Sequence, residues 1–230
     1  MNEFFASSVY AGTVLTLLFF YVGMLLKKKF KSAIVNPLLI AVGLTIAFLV
    51  STKTEYSSYY EGARYISWFL TPATICLAVP LYEQMEALKK NAAAILCGIL
   101  SGVVASLLSV LILSVLFGLS HREYVTFLPK SITTAIGMAV SEEMGGYSPI
   151  TVAVIIMTGI TGNLICVPLL KVLCIKEPVA KGIAIGTASH AIGTAKAMEI
   201  GSLTGAMSSL SIVVSGVFTV ILAPVFATFY

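Results

Sequence analysis

The sequence predicts an all-α polytopic membrane protein, on the evidence of its composition and its hydropathy. Of the 230 residues, 58% are hydrophobic and 10% are charged, and the mean hydropathy is +1.01. Because a soluble domain has roughly 25% charged residues, this composition excludes an ordinary soluble fold. A membrane-spanning helix needs about 20 apolar residues, so the chain has room for about seven or eight spans and no separate soluble domain.

The charged residues are distributed as expected for loops at a membrane surface. The net charge is +4, but the lysines form short clusters beside apolar segments, as in cytoplasmic loops under the positive-inside rule. We therefore expect the lipid bilayer, and not nucleic acid, as a partner. The four cysteines lie within or at the ends of apolar segments without metal-ligand spacing, and we interpret them as small packing residues. They are Cys76, Cys97, Cys166 and Cys174.

The first half of the chain, approximately residues 1–115, predicts four spans. They are Phe4–Leu26, Asn36–Val50, Tyr65–Leu88 and Ala92–Leu119. The lysine cluster Lys27–Lys31 places the loop after the first span in the cytoplasm. No basic region of the signal-peptide type precedes that span, so we expect it to remain as an anchor. Pro72 and Pro80 each remove a helix hydrogen bond, so we expect the third span to be kinked or broken.

The second half, approximately residues 116–230, predicts two long spans, Tyr147–Leu173 and Leu203–Phe229, and two polar, glycine-containing segments. These segments are Pro129–Gly146 and Gly182–Glu199. If every segment spanned, the lysine-rich loop Lys171–Lys181 would face outside, against the positive-inside rule. If Pro129–Gly146 only enters the membrane and returns, that loop is cytoplasmic, and the two halves form inverted repeats with broken helices. We favour the second interpretation.

The segment Gly182–Glu199, GIAIGTASHAIGTAKAME, is the strongest candidate for a substrate site. Glycine loosens a helix and allows close approach of another backbone, so we expect a break between Gly186 and Gly193. Irregular backbone at membrane depth lines a cavity or is buried in protein. We assign substrate binding to Thr187, Ser189, His190 and Thr194. Because histidine ordinarily titrates near neutral pH, His190 is also a candidate for proton coupling. The alternative is that the glycines only pack helices and the histidine is bonded to a neighbour.

The stretch PKSITT, Pro129–Thr134, predicts an anion site at a helix N-terminus. Proline suits the start of a helix, and Ser or Thr there can cap free N–H groups. Such an end attracts carboxylates and phosphates. Lys130 adds a positive charge, and Ser131, Thr133 and Thr134 add hydroxyl groups. The alternative places the lysine at the outer interface, with the hydroxyls bonded to their own helix.

Three further polar positions complete the candidate site. Asn163 lies within a predicted span, where an amide needs a partner, and we assign it to substrate binding. Glu142 is a second candidate for proton coupling, although Glu142 and Glu143 before two glycines also fit a solvated helix end. Lys196 and Glu199 are three residues apart and are expected to pair. The sequence has no Ser–His–Asp order, phosphate loop, HExxH motif or cysteine cluster, so we expect neither an enzyme nor a metal or cofactor site.

These motifs together resemble the LrgB/CidB family of bacterial membrane proteins. The resemblance rests on PKSITT, SEEMGG, TGITGN and above all GIAIGTASHAIGTAKAME. It covers essentially the whole chain and implies a single integral membrane domain, residues 1–230. One departure is Ala135, where the family pattern has proline, and this bears on the geometry of the helix that follows.

The resemblance implies two kinds of function. The family was named for control of murein hydrolase activity and autolysis, as an antiholin-like partner of a smaller LrgA- or CidA-type membrane protein. Related proteins, including a plastid member with an LrgB-like half, look like carriers of small carboxylates such as glycolate, glycerate or pyruvate. The cationic, hydroxyl-rich candidate site favours a proton-coupled carrier in the bacterial inner membrane, and a homo-oligomer is expected. The alternative is a regulator that acts through an LrgA-type partner without transport of its own.

Overall fold

The computed structural model describes residues 8, 10–30, 37–69, 85–90 and 92–230, with isolated positions between 72 and 83. All regular elements in these residues are helices, which confirms the all-α prediction. Four helices are long and apolar enough to cross a membrane, and one further apolar helix is shorter. The predicted total of seven or eight spans stays a prediction, because nine of the 24 residues of the predicted third span, Tyr65–Leu88, lie outside the described residues, Pro80 included.

The first of two compact units, Met1–Cys76, packs α1 against α2 and α3. Its elements are α1 (Ala11–Phe30), α2 (Pro37–Thr52), α3 (Tyr56–Ala63) and a short 3-10 helix, Arg64–Phe69. The helix α1 extends through Lys27–Lys29, which form its last turn instead of the predicted loop. Lysines are favourable there because the C-terminus of a helix carries a partial negative charge. The hydroxyl of Thr13 donates to the carbonyl of Gly62 at 2.6 Å and joins α1 to α3.

The second unit, Leu77–Tyr230, contains the long helices that carry the candidate site. Its described helices are α4 (Met85–Lys90), α5 (Ala92–Phe117), α6 (His121–Phe127), α7 (Thr134–Glu143), α8 (Ser148–Val172), α9 (Pro178–Ile200) and α10 (Ser202–Ala227). The predicted spans over α5, α8 and α10 agree with these bounds to within two residues at each end.

The helix α5 shows how these apolar helices divide their surface. One stripe along it is buried against α6, α9 and α10, and its members follow the three- and four-residue spacing of a helix face. They are Ile95, Ile99, Val103, Leu107 and Val110. The opposite face exposes leucines and isoleucines, such as Leu96 and Ile112, as expected for a surface that meets lipid.

The helix α8 runs against the direction of α5, α10 and the first part of α9. Glycines let these helices approach closely, and the order of their contacts gives the directions. The parallel contacts are Gly98 with Ile183, Gly102 with Thr187, Gly182 with Thr204, and Gly186 with Ser208. The antiparallel contacts of α8 with α9 are Gly159 with His190 and Gly162 with Ser189.

The helix α9 is a hairpin and not a straight span. Its backbone leaves helical geometry at His190, with φ 41° and ψ −140°, which confirms the break predicted between the flanking glycines. Beyond that residue the chain turns back, because Gly193 lies against Ile185. Lys181 and Ile200, near the two ends of α9, consequently line one cavity. We call residues 178–200 the α9 hairpin, with legs 178–189 and 191–200.

The helices α6 and α7 form a second hairpin that begins and ends beside the start of α8. The guanidinium of Arg122, in the first turn of α6, lies 3.9 Å from the ring centroid of Tyr147, which places the two outer ends together. The hydroxyl of Thr151 donates to the hydroxyl of Ser141 at 2.7 Å and joins α7 to α8. Ten helical residues in α7 cover about 15 Å, half of a bilayer core. We call residues 121–143 the α6–α7 hairpin, with residues 128–133 as its inner turn.

Candidate functional site

The inner turn of the α6–α7 hairpin presents a partly buried lysine to hydroxyl groups. The ammonium of Lys130 donates to the hydroxyl of Ser106 on α5 at 3.1 Å and to that of Ser131 at 3.2 Å. The two serine hydroxyls are 3.0 Å apart and share a hydrogen bond. Within the described residues no carboxylate pairs with this lysine. Because a buried charge is costly without a counter-charge, this group is suited to an anion.

The N-terminus of α7 lies directly after this lysine and leaves its own donors available. Thr133 precedes the helix, and in the described chain its hydroxyl makes no capping hydrogen bond. The helix therefore begins at Thr134 and not at Pro129, and Thr133 does not make the cap that the sequence allowed. Thr133 and Thr134 are partly buried. The uncapped N–H groups and the ammonium of Lys130 together favour negative charge.

A small closed cavity joins the inner turn to the α9 hairpin. Its volume is about 10 Å³, which is close to the minimum for a single water. Its polar lining consists of hydroxyl groups from four elements of the chain. They belong to Ser106, Ser131, Thr187, Ser215 and Thr219. A carboxylate with several atoms cannot enter this space unless the hairpins separate.

The tip of the α9 hairpin is a buried histidine with its hydrogen bonds made. His190 is 3% exposed, and its Nε2 donates to the carbonyl of Ile155 on α8 at 3.0 Å. Its own carbonyl accepts from the hydroxyl of Thr194 at 2.9 Å. Since that hydroxyl has one hydrogen, Ser208 on α10 donates to Thr194 across 2.7 Å. In this structure, in which the cavity is closed, His190 is therefore an interior histidine bonded to its neighbours, as the alternative interpretation of the sequence expected.

Side chains of α8 satisfy backbone that the break in α9 sets free. The amide of Asn163 donates to the carbonyl of Ile192 at 2.8 Å, just after the break. Ser189 lies so close to Gly162 that any side chain there would collide with its hydroxyl. These contacts hold a residue with positive φ in place.

A groove leads from one end of the second unit toward the cavity. It has a volume of about 550 Å³ and runs between α5 and the first leg of the α9 hairpin. Glu177 and Ala94 lie near the starts of these helices, and Gly102 and Thr187 lie deeper. Thr187 lines both the groove and the closed cavity. One side chain therefore contacts both spaces.

Comparison with known proteins identifies the family of this chain. A family model described as the LrgB-like family matches residues 16–229. The chain belongs to the LrgB-like family. Holin-like protein CidB of Staphylococcus epidermidis is 37% identical over 225 residues, which are 98% of this chain and 97% of that protein. Antiholin-like protein LrgB of Bacillus cereus is 38% identical over 221 residues, which are 96% of each. No solved structure matches the chain.

In this LrgB-like chain the predicted site residues form two neighbouring groups. Lys130, Ser131 and Thr187 lie at or beside the closed cavity. Asn163, Ser189, His190 and Thr194 lie around the break in α9. Glu142 belongs to neither group, because it is exposed at the end of α7 and accepts from the hydroxyl of Ser148 at 2.8 Å. Lys196 and Glu199 pair at 2.5 Å, as expected.

Three hydroxyl residues of the cavity were not predicted as site residues: Ser106, Ser215 and Thr219. Each lies in a long apolar helix, where a hydroxyl usually bonds back to its own backbone. Ser215 does so, since its hydroxyl donates to the carbonyl of Ile212 at 3.2 Å. The only sequence signal was a serine or threonine in an apolar span, which is too common to identify a site.

Proposed function

We propose that this LrgB-like protein carries small carboxylates, such as glycolate, glycerate or pyruvate, across the bacterial inner membrane together with protons. The observation that carries the proposal is the ammonium of Lys130, which in the described residues donates to neutral hydroxyls and pairs with no carboxylate, beside an uncapped helix N-terminus. A carboxylate supplies the missing negative charge and accepts charge-assisted hydrogen bonds. A protein that acts only by surface contacts has no need of this costly arrangement.

The order of elements supports an inverted repeat within the second unit. The α6–α7 hairpin is followed by α8, and the α9 hairpin is followed by α10, which runs opposite to α8. Each pair therefore has a hairpin that enters from one end and a long helix that then crosses. Transporters with inverted repeats bind substrate where broken helices meet. The predicted division near residue 115 stays a prediction, because part of the third predicted span in the first half is not described.

The charges at the two ends support an orientation in the membrane. The end where α5, α9 and α10 begin has more basic than acidic residues, and the opposite end has more acidic than basic ones. The first end carries Lys89, Lys90, Lys171, Lys176 and Lys181 with Glu86, Glu177 and the pair Lys196–Glu199, and the other carries Arg122, Glu123, Glu142 and Glu143. The positive-inside rule assigns the lysine-rich end to the cytoplasm. The segment Pro129–Gly146 is then re-entrant from outside.

The closed cavity defines what the carrier must do. A cavity of about 10 Å³ has no room for substrate, so transport needs an opening motion. The groove reaches Thr187 from the end assigned to the cytoplasm. We assign inward release to separation of Thr187 from Gly102, and proton coupling to His190 at the hairpin tip. Glu142, exposed and bonded to Ser148, has the weaker claim to that role.

The names of the relatives favour a second candidate function. They are described as holin-like and antiholin-like proteins. On this candidate the chain regulates murein hydrolase activity and autolysis through an LrgA-type membrane partner. The two candidates are compatible, since a flux of carboxylate and protons can change autolysis indirectly.

Reconstitution into proteoliposomes tests the carrier. Purified protein should take up labelled glycolate, glycerate or pyruvate without an LrgA-type protein. Lys130→Ala should lower uptake at least about tenfold, as expected for loss of a hydrogen bond to a charged group. Lys130→Arg should keep part of the activity, because it keeps the charge in a different geometry.

The matched control is Lys89→Ala, which removes an exposed lysine from α4. It should transport as the unmodified protein does. Equal uptake by Lys130→Ala and Lys89→Ala would reduce Lys130 to a structural role. No uptake of any of the three acids, together with binding to an LrgA-type protein, would favour the regulatory candidate.

A further inference from the structure

A second cavity lies at the foot of the α9 hairpin, apart from the candidate carboxylate site. Its volume is about 400 Å³, and it lies between the end of α8 and both ends of α9. Val167, Leu170 and Ile175 contribute apolar wall, and Ile200 closes it from the second leg. The cavity therefore contacts the three chain segments whose relative positions define the hairpin.

Three lysines surround this cavity: Lys171, Lys176 and Lys181. In the described part of the chain none of them forms an ion pair. Of the nearby carboxylates, Glu199 pairs with Lys196 at 2.5 Å, and Glu177 lines the separate groove and not this cavity. The cavity thus combines an apolar interior with uncompensated positive charge.

The turn that places two of the lysines is fixed by the end of α8. Cys174 has φ 54°, and its N–H donates to the carbonyl of Lys171 at 3.1 Å. The N–H of Ile175 donates to the carbonyl of Leu170 at 2.9 Å. This pair of bonds is the Schellman motif, which brings the two apolar side chains together at the helix end. Leu170 and Ile175 therefore form a wall of the cavity between Lys171 and Lys176.

We propose that this cavity binds the headgroup of an anionic phospholipid, with the upper part of an acyl chain against its apolar wall. A free phosphate would use the lysines but leave the apolar wall uncovered. A lipid uses both, and Val172 and Leu173 beside the cavity are 78% and 59% exposed, as for residues that face acyl chains. Basic pockets between membrane helices are known to bind such headgroups. The bound lipid joins α8 to both legs of the α9 hairpin and stabilises the closed hairpin.

The site requires only that the end of α8 lies at a membrane surface, so it does not depend on carboxylate transport. Each lysine near an anionic surface contributes roughly fivefold to binding, and three contribute roughly a hundredfold. Native mass spectrometry of the full chain should therefore show retained phosphatidylglycerol but not phosphatidylcholine. The triple variant Lys171→Gln, Lys176→Gln, Lys181→Gln should lose that retention by roughly a hundredfold.

The matched control, Lys27→Gln, Lys28→Gln, Lys29→Gln, removes the same charge from the last turn of α1 and should retain the lipid. An equal loss in this control would show general surface attraction and overturn the site. Ile200→Trp keeps all three lysines but fills the cavity, so it should also lose phosphatidylglycerol. Full retention by Ile200→Trp, or displacement of the lipid by excess inorganic phosphate, would overturn the lipid as occupant.

Discussion

The two hairpins of the second unit reach the same residue of α8 by different means. Gly137 of the α6–α7 hairpin lies against the side chain of Ile155, and His190 of the α9 hairpin bonds to the carbonyl of that residue. The first hairpin consists of two short helices joined by an ordinary turn. The second is a nearly continuous helix with one residue at positive φ. The first therefore depends on local turn chemistry, and the second depends on tertiary contacts that hold a strained residue.

Among the substitutions that test this difference between the hairpins, we expect the largest effect from Gly159→Ala. The added Cβ would lie 2.7 Å from Cε1 and 2.8 Å from Nε2 of His190, and that ring is held by its bond to the Ile155 carbonyl. We expect the free energy of unfolding to fall by about 2 kcal/mol, as for overpacking. Equilibrium unfolding of the variant and the unmodified protein in mixed micelles measures this difference.

The control is Gly43→Ala in α2, where an added Cβ would meet nothing within 4 Å. It should raise stability by up to about 1 kcal/mol, the difference in helix propensity. A loss at Gly159→Ala no larger than the change at Gly43→Ala would mean that the α9 hairpin does not depend on this contact.

A second test sharpens the functional side of the comparison. If His190 couples protons to transport, uptake should rise as the external pH falls through the range around 6.5, where histidine ordinarily titrates. His190→Gln keeps a hydrogen-bond donor for the Ile155 carbonyl but does not titrate there. Its uptake should vary less with pH, with a difference of roughly tenfold at the acidic end. Superimposable pH profiles of the two proteins would leave His190 a packing residue.

The smallest effect is expected at the outer end of the α6–α7 hairpin. The N–H and hydroxyl of Ser120 both donate to the Glu123 carboxylate at 2.7 Å, and these bonds hold the pKa of Glu123 below its ordinary value of 4.5. A lowered pKa in the folded state means that this stabilisation is present above the unfolded value and is lost as pH falls through the folded one.

Glu123→Gln should therefore lower stability slightly at neutral pH, and the difference should vanish in acid. Unfolding of both proteins across a pH range from about 3 to about 7, which spans the ordinary pKa of a glutamate, checks this. A difference that persists unchanged at the acidic end would contradict the role of the carboxylate in this cap.

Much of the architecture follows from local patterns in the sequence. The apolar runs predict α5, α8 and α10 almost to the residue, since length and hydropathy suffice for a long membrane helix. The glycines at 186 and 193 predict the break that lies at His190. The lysine at position 130 was recognised because an ionisable group in an apolar chain is costly. In each of these cases the residues that cause the structural feature lie within a few positions of the sequence pattern that predicts it.

What only the tertiary structure decided is where each segment goes after it leaves its own helix. A break in a helix leaves open whether the chain continues or turns back. In α9 the return depends on Gly193 against Ile185 and on Met198 against Gly205 of α10. The closed cavity combines Ser131 with Ser215, which is 84 positions away in the chain. Glu142 lies at the surface, although it is only eight residues after the PKSITT stretch that contains Ser131. Hydropathy records that a segment is buried but not which neighbour buries it, because apolar packing is non-directional and many helix pairs satisfy it equally.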